Sequence, residues 1–233
     1  MAEKNFDVEN LGDELIERAD VVKKFYDKNK KPIVYIGGAI IGLLVLYVAY
    51  TFLYLNPRNS EASNEIWKVQ QAFEKDSFEL VLKGRTGKNE MKSAIDIADE
   101  YSGTDQANLA CFYAGVAYLR TGKYAEAIEY LEKFSSSDDV IGPTAKGLLA
   151  DAYVEQGNLE KGASLYEKAA AMSINEYSTP KYLKKAADIY LYQKEYKKAQ
   201  SLYEKIKKDF EKSTIARDMD KYIELAKAYQ QKG

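Results

Sequence analysis

Hydrophobic and polar positions follow two regimes along this chain. From Ile33 to Leu55 the run "IVYIGGAIIGLLVLYVAYTFLYL" holds no charged residue, although 30% of the whole chain is charged. As a helix this run is about 34 Å long, against a hydrocarbon core of about 30 Å. A helix satisfies its own backbone polar groups, so the run predicts a membrane-spanning helix. A secretory h-region is shorter, about 7–15 residues, and ends in small residues; this run ends in bulky "TFLYL". Everywhere else apolar residues recur at spacings of three and four, the helical period. Leu11, Leu15, Ala19, Val22 and Tyr26 predict a helix before the span, and Ile66, Val69 and Phe73 one after it.

Beyond residue 100 the pattern repeats. "GVAYLRTGKYAEAIEYL" from Gly115, "ADAYVEQGNLEKGASLY" from Ala150 and "ADIYLYQKEYKKAQSLY" from Ala187 align in phase, 35 and 37 residues apart. Each opens with a small residue followed three later by Tyr118, Tyr153 or Tyr190. Gly122 and Gly157 then supply the positive φ that ends a helix; Lys194 stands there in the third copy. Tyr124, Leu159 and Tyr196 open a second helix, with Ala127, Gly162 and Ala199 three later and Leu131, Tyr166 and Tyr203 four beyond. Pro143 and Pro180 fall near helix starts, where proline is tolerated. The unit is a helix–turn–helix of about 34 residues, and it resembles the tetratricopeptide repeat. The expected fold is all-α, a single N-terminal transmembrane helix followed by a tetratricopeptide-like α-solenoid of helix pairs.

The predicted boundaries are a cytoplasmic amphipathic helix over 1–32, the span over 33–55, and a helical linker or N-terminal cap over 56–88. The solenoid covers 89–212, with a lone helix or half-repeat around Met91, Ile95 and Ala98, and a capping helix follows over 213–233. Lys and Arg set the orientation. Arg18, Lys23, Lys24, Lys28, Lys30 and Lys31 precede the span, against Arg58, Lys68 and Lys75 after it. The excess predicts a cytoplasmic N-terminus and a C-terminal domain across the membrane. Within the span, Gly38 and Gly42 form a GxxxG pair that could pack helices, although glycine is common in membrane helices anyway. Tyr47, Tyr50, Phe52 and Tyr54 suit an interfacial aromatic belt.

Composition narrows the chemistry. The net charge of −2 carries no basic excess for nucleic acid. Histidine is absent, which removes His-dependent triads and zinc sites. The single Cys111 reads as a packed thiol. Asp96, Asp99 and Glu100 cluster on one predicted helix and read as a solvated face. No cofactor, metal or small-molecule substrate is expected, and no enzyme activity; the expected partners are proteins and membrane lipid. The tetratricopeptide resemblance implies that first helices of the pairs line a binding groove. Its groove offsets fall on Phe112, Val116 and Arg120, on Asp151 and Glu155, and on Lys184, Asp188 and Tyr192. The subfamily that clamps a chaperone's C-terminal carboxylate uses asparagine where Asp151 and Asp188 stand, so that clamp is not expected.

The order of elements, with the run "IADEYSGTDQANLACFYAGVAYLRTGKYAEAIEYLEKF" and "AYVEQGNLEKGASLYEKAA", resembles the YfgM-type ancillary subunits of the Sec translocon, in their Bacteroidetes-like version. That resemblance implies a non-enzymatic inner-membrane scaffold beside SecYEG. It would pair with a parvulin-like periplasmic chaperone and help hand over emerging polypeptides. An adaptor for another envelope assembly complex, or a membrane-anchored regulator acting through its N-terminal helix, are the other readings.

Overall fold

The structure, a computed structural model, describes residues 8–231, with side chains described from residue 18 onward except at 20 and 22. The apolar stripe expected at Leu11, Leu15 and Val22 involves side chains outside the described residues. The chain divides into two units, residues 1–57 and 58–233.

In the first unit α1 (Val8–Tyr50) consists of two helical stretches joined across a kink. Its break is at Asn29, whose φ/ψ of −113°/17° are non-helical, three residues before Pro32. Proline has no N–H to offer the carbonyl four residues back, and its ring crowds that carbonyl. Asn29 Nδ2 donates to Phe25 O at 2.8 Å, re-using a carbonyl at the break. Residues Thr51–Leu55 form a π-helical turn. There Thr51 Oγ1 donates to Tyr47 O at 2.9 Å, and the Tyr50 and Tyr54 rings stack at 5.3 Å. Most apolar side chains of the run are exposed, Leu53 to 81%.

The second unit is a stack of helices: α2 (Asn56–Glu74), whose first two residues belong to the first unit, α3 (Phe78–Lys83), α4 (Ala94–Glu100), α5 (Asp105–Arg120), α6 (Tyr124–Lys133), α7 (Ile141–Glu155), α8 (Leu159–Met172), α9 (Ser178–Tyr192), α10 (Tyr196–Asp209) and α11 (Met219–Gln230). Among the described residues the strand-like pairing is confined to an Arg85–Met91 bridge. The pairs α5–α6, α7–α8 and α9–α10 are the three predicted repeats, and from α4 onward each helix packs on the next. Small residues allow the close approach. A Cβ added at Gly115 would lie 2.7 Å from Leu131 Cγ, so nothing larger than glycine fits there without repacking.

The turn within each pair is one device. The N–H groups of Lys123, Asn158 and Glu195 donate to the carbonyls of Tyr118, Tyr153 and Tyr190 at 2.8–2.9 Å. The residue before each has a left-handed φ: Gly122 at 77°, Gly157 at 90° and Lys194 at 63°. Lys194 therefore departs from the pattern in side chain only. The same bond and the same φ occur a fourth time, between α2 and α3: Ser77 N–H donates to Ala72 O at 2.9 Å, and Asp76 has φ 53°. The segment expected as a linker or cap thus carries the same turn between α2 and α3. α3 stops at Gly84, whose added Cβ would lie 2.5 Å from the Met91 carbonyl, and α4 begins after the bridged loop.

Alanine and tyrosine dominate the core: Ala110, Ala114, Ala150, Ala187 and Tyr203 are fully or almost fully buried. α4 begins in a capping box, Ser93 Oγ accepting from Asp96 N at 3.0 Å and Asp96 Oδ2 accepting from Ser93 N at 3.1 Å. Glu100 takes Lys92 at 2.5 Å. The acidic cluster therefore has structural partners for Asp96 and Glu100. At the far end α11 turns Asp220, Lys221 and Glu224 outward and buries Met219, Ile223 and Ala226.

Candidate protein-binding surface

The first helices α5, α7 and α9 carry the sequence-derived lane at i, i+4 and i+8, one face of a helix. On α5, Phe112 is half-buried against Phe134, with ring centroids 5.2 Å apart, and Arg120 is exposed. Val116 is 5% exposed. It belongs to the core, so it offers no surface to a partner. On α7, Gly147 fills the place of Phe112, and the Tyr182 ring covers it so closely that an added Cβ would lie 2.3 Å from a ring carbon. Glu155 is exposed. On α9, Lys184 and Asp188 pair at 2.8 Å, and Tyr192 stands 78% exposed. The lane is thus divided between surface (Arg120, Glu155, Tyr192) and partly covered residues.

Two rows of polar contacts hold the lane in place. The Tyr166 hydroxyl donates to Asp151, and Tyr203 Oη donates to Asp188 Oδ1 at 2.8 Å. Each aspartate also takes a lysine, Lys185 at 2.5 Å for Asp151 and Lys184 for Asp188. Both carboxylates are consequently occupied from within the protein. The second row crosses between repeats: Tyr153 Oη donates to Glu132 Oε1 at 2.8 Å, and Tyr190 Oη to Glu167 Oε1 at 2.5 Å. Glu132 and Glu167 hold the same place in consecutive repeats, and that recurrence with the repeat tyrosines was the available signal for this row.

Burial and the accepting carboxylates push the hydroxyls of Tyr166, Tyr190 and Tyr203 well above the ordinary tyrosine range, because ionisation would place two negative charges together. These tyrosines are fixed donors. Cys111 is buried, and that burial pushes its thiol up, the opposite of an activated nucleophile. Among the described residues no group of three or more His, Cys, Asp or Glu could hold a metal ion. In the first unit, Gly38 and Gly42 have open space around their Cα atoms.

Residues 114–177 and 148–214 match the tetratricopeptide repeat family. The two matches begin within two residues of the Gly115 and Ala150 windows and each covers a pair of repeats. The crystal structure of a Podosopora anserina chain of nearly identical TPR-like repeats, described as a kinesin light chain, is similar in fold. Its TM-score is 0.51 at 18% identity, over 76% of this chain and 87% of that one. A curated relative, Protein FLUORESCENT IN BLUE LIGHT, chloroplastic, of Arabidopsis thaliana, is 33% identical over 107 residues. The match takes in 38% of this chain and spans about a third (34%) of that protein's length. The spacing of the windows, the shared turn and the family match agree: the helix pairs within residues 114–214 match tetratricopeptide repeats, and the second unit is a tetratricopeptide-like α-solenoid.

Proposed function

We propose that this protein is a non-enzymatic, membrane-anchored scaffold of the Sec translocon, its span seated beside the channel and its solenoid presented to periplasmic chaperones or emerging polypeptides. One observation carries the membrane part. The apolar window of the N-terminal helix is 0% buried. A core helix of the same composition would be covered by protein, so this one calls for a lipid cover. The charge excess before the span favours a cytoplasmic N-terminus. Tetratricopeptide repeats favour protein partners, and the translocon rests on the resemblance in the order of elements. Arg120, Glu155 and Tyr192 are the lane residues that reach solvent and would meet the partner first. Phe112 and the Lys184–Asp188 pair flank them.

In-cell photo-crosslinking tests this reading, with the probe at Phe112, at Tyr192 and at Gly38, and partners identified by mass spectrometry. Translocon subunits captured from Gly38 and a periplasmic chaperone captured from Tyr192 are the expected outcome. Capture of unrelated envelope proteins alone would retire the translocon and leave a membrane-anchored repeat protein. Cytoplasmic partners at Tyr192 would invert the topology.

A further inference from the structure

Charge is unevenly spread before the apolar run. Residues 1–17 hold six carboxylates and Lys4. Residues 18–32 hold Arg18, Lys23, Lys24, Lys28, Lys30 and Lys31 against Asp20 and Asp27, a net charge of +4. From residue 23 to residue 31 the count is five lysines to one aspartate, and all five lysines are exposed. Glu17, the last of the earlier carboxylates, lies about 9 Å of helix rise before Lys23, roughly one Debye length at physiological salt. The lysines therefore act as a cationic patch of their own, with Asp20 and Asp27 already counted in it.

The same stretch carries exposed apolar side chains. Val21 and Phe25, four apart and so on one helix face, are 62% and 63% exposed. Lys24 and Lys28 border that face beside Val21, and Asp27 falls on the side opposite Phe25. The helix then breaks at Asn29, between Lys28 and Lys30 and four residues before Ile33. On a straight helix Lys23 would stand about 15 Å from Ile33 along the axis, beyond the Debye length of about 8–10 Å. Any bend at Asn29 shortens that axial distance and brings the earlier lysines nearer the level at which the apolar run begins.

We propose that residues 18–31 are an interfacial segment that binds anionic phospholipid headgroups through Lys23, Lys24, Lys28, Lys30 and Lys31, with Val21 and Phe25 seated at the edge of the hydrocarbon. The proposal rests on the membrane reading above. Continuity selects the occupant. Lys30 and Lys31 stand three and two residues before Ile33, where that reading starts the bilayer, so phospholipid headgroups are the anions within their reach. A juxtamembrane lysine near an anionic surface favours contact about fivefold, and five act together. A second copy anchored in the same membrane runs parallel and sets lysine against lysine. A soluble polyanion would satisfy the lysines but would leave Val21 and Phe25 in water.

The test uses the full chain reconstituted into vesicles of phosphatidylcholine alone, or of phosphatidylcholine and phosphatidylglycerol in equal parts, with brominated acyl chains as quencher. Trp67 is the single tryptophan and is 56% exposed, so Phe25→Trp in a Trp67→Phe background leaves one reporter. Its fluorescence should be quenched about twofold more in the anionic vesicles, and raised salt should remove the difference. Adding Lys23→Gln, Lys24→Gln and Lys28→Gln should remove about half of it or more. Asn29→Ala with Pro32→Ala, which restores a regular helix, should weaken the quenching. Equal quenching in both vesicles, or no effect of the three lysine changes, overturns the proposal. Quenching relieved by added polyglutamate or polyuridylate in both vesicles alike overturns it too, and assigns the lysines to a soluble partner. Leu44→Trp in the same background reads the span alone and should be quenched in both vesicles at any salt. If it is not, the membrane reading itself fails; if it is while position 25 ignores lipid charge, the headgroup proposal alone fails.

Discussion

The first repeat and the two that follow solve one packing problem differently. Val116 and Leu131, both buried in one core cluster, hold in the first repeat the two positions that pair as aspartate and tyrosine in the others. The second has Asp151 with Tyr166, and the third Asp188 with Tyr203. An apolar pair gains by leaving water. A tyrosine–aspartate pair buries a ring of similar reach and then must satisfy a hydroxyl and a carboxylate. The repeat tolerates both because the aspartate lies near enough to the surface to collect a lysine. Polar residues on a first helix are thus not surplus binding groups, and a lane residue counts as available only when its polar atoms lack an internal partner.

The largest break in this comparison comes from moving the polar solution into the apolar repeat. Val116→Asp puts a carboxylate into the core with no hydroxyl at position 131 to donate to it. We expect a loss of about 3 kcal/mol or more, by urea unfolding. Adding Leu131→Tyr should return part of it, and a double variant no better than the single one would show that the two solutions are not interchangeable.

The reverse exchange should cost less. Asp188→Val strands the Tyr203 hydroxyl in the core, an effect of about 1–3 kcal/mol. Asp188→Val with Tyr203→Phe removes both partners and should recover most of that loss. Additive costs in a double-mutant cycle would mean the 2.8 Å contact contributes little.

Alkaline pH separates the repeats as well. Tyr166 and Tyr203 have hydroxyl pKa values raised above the unfolded value of about 10. Their contribution is therefore complete below about pH 10 and is lost as pH rises through the folded values, so stability should decline from about pH 10 upward. Tyr166→Phe with Tyr203→Phe should lower stability at pH 7 and make that alkaline decline shallower. Absorbance at 295 nm alongside ellipticity measures both, and an unchanged slope would contradict the assignment of the decline to these two buried hydroxyls.

Much of this architecture was legible in the chain. Small residue, tyrosine and glycine at fixed offsets marked three repeats in phase, because helix approach and left-handed turns admit few side chains. The matching turn between α2 and α3 was not legible because Asp76 stands where glycine would signal it, and because the following helix stops after Lys83. The helix break expected at Pro32 lies three residues earlier, at the Asn29 kink, since proline disturbs the turn before it rather than its own. The lane was placed by offset alone, and offset cannot tell an engaged side chain from a free one. Val116 and the two aspartates needed their neighbours 15 residues away to be read.

The smallest expected effect sits at the turns, where the repeats agree in backbone and differ in residue. Lys194 holds φ 63° at a position that Gly122 and Gly157 fill elsewhere. A left-handed φ costs an L-residue roughly 1–2 kcal/mol, because Cβ approaches the carbonyl. Glycine avoids that cost but brings a more flexible unfolded chain. Lys194→Gly should therefore stabilise the third repeat by about 0.5–1 kcal/mol, and Gly157→Lys should destabilise the second by a similar amount. The Lys194 side chain is exposed, so neither change touches packing. Urea midpoints that move in opposite directions by similar amounts would make the backbone, and not the side chain, the conserved feature of the turn. A destabilised Lys194→Gly would mean instead that the unfolded-state entropy outweighs the strain.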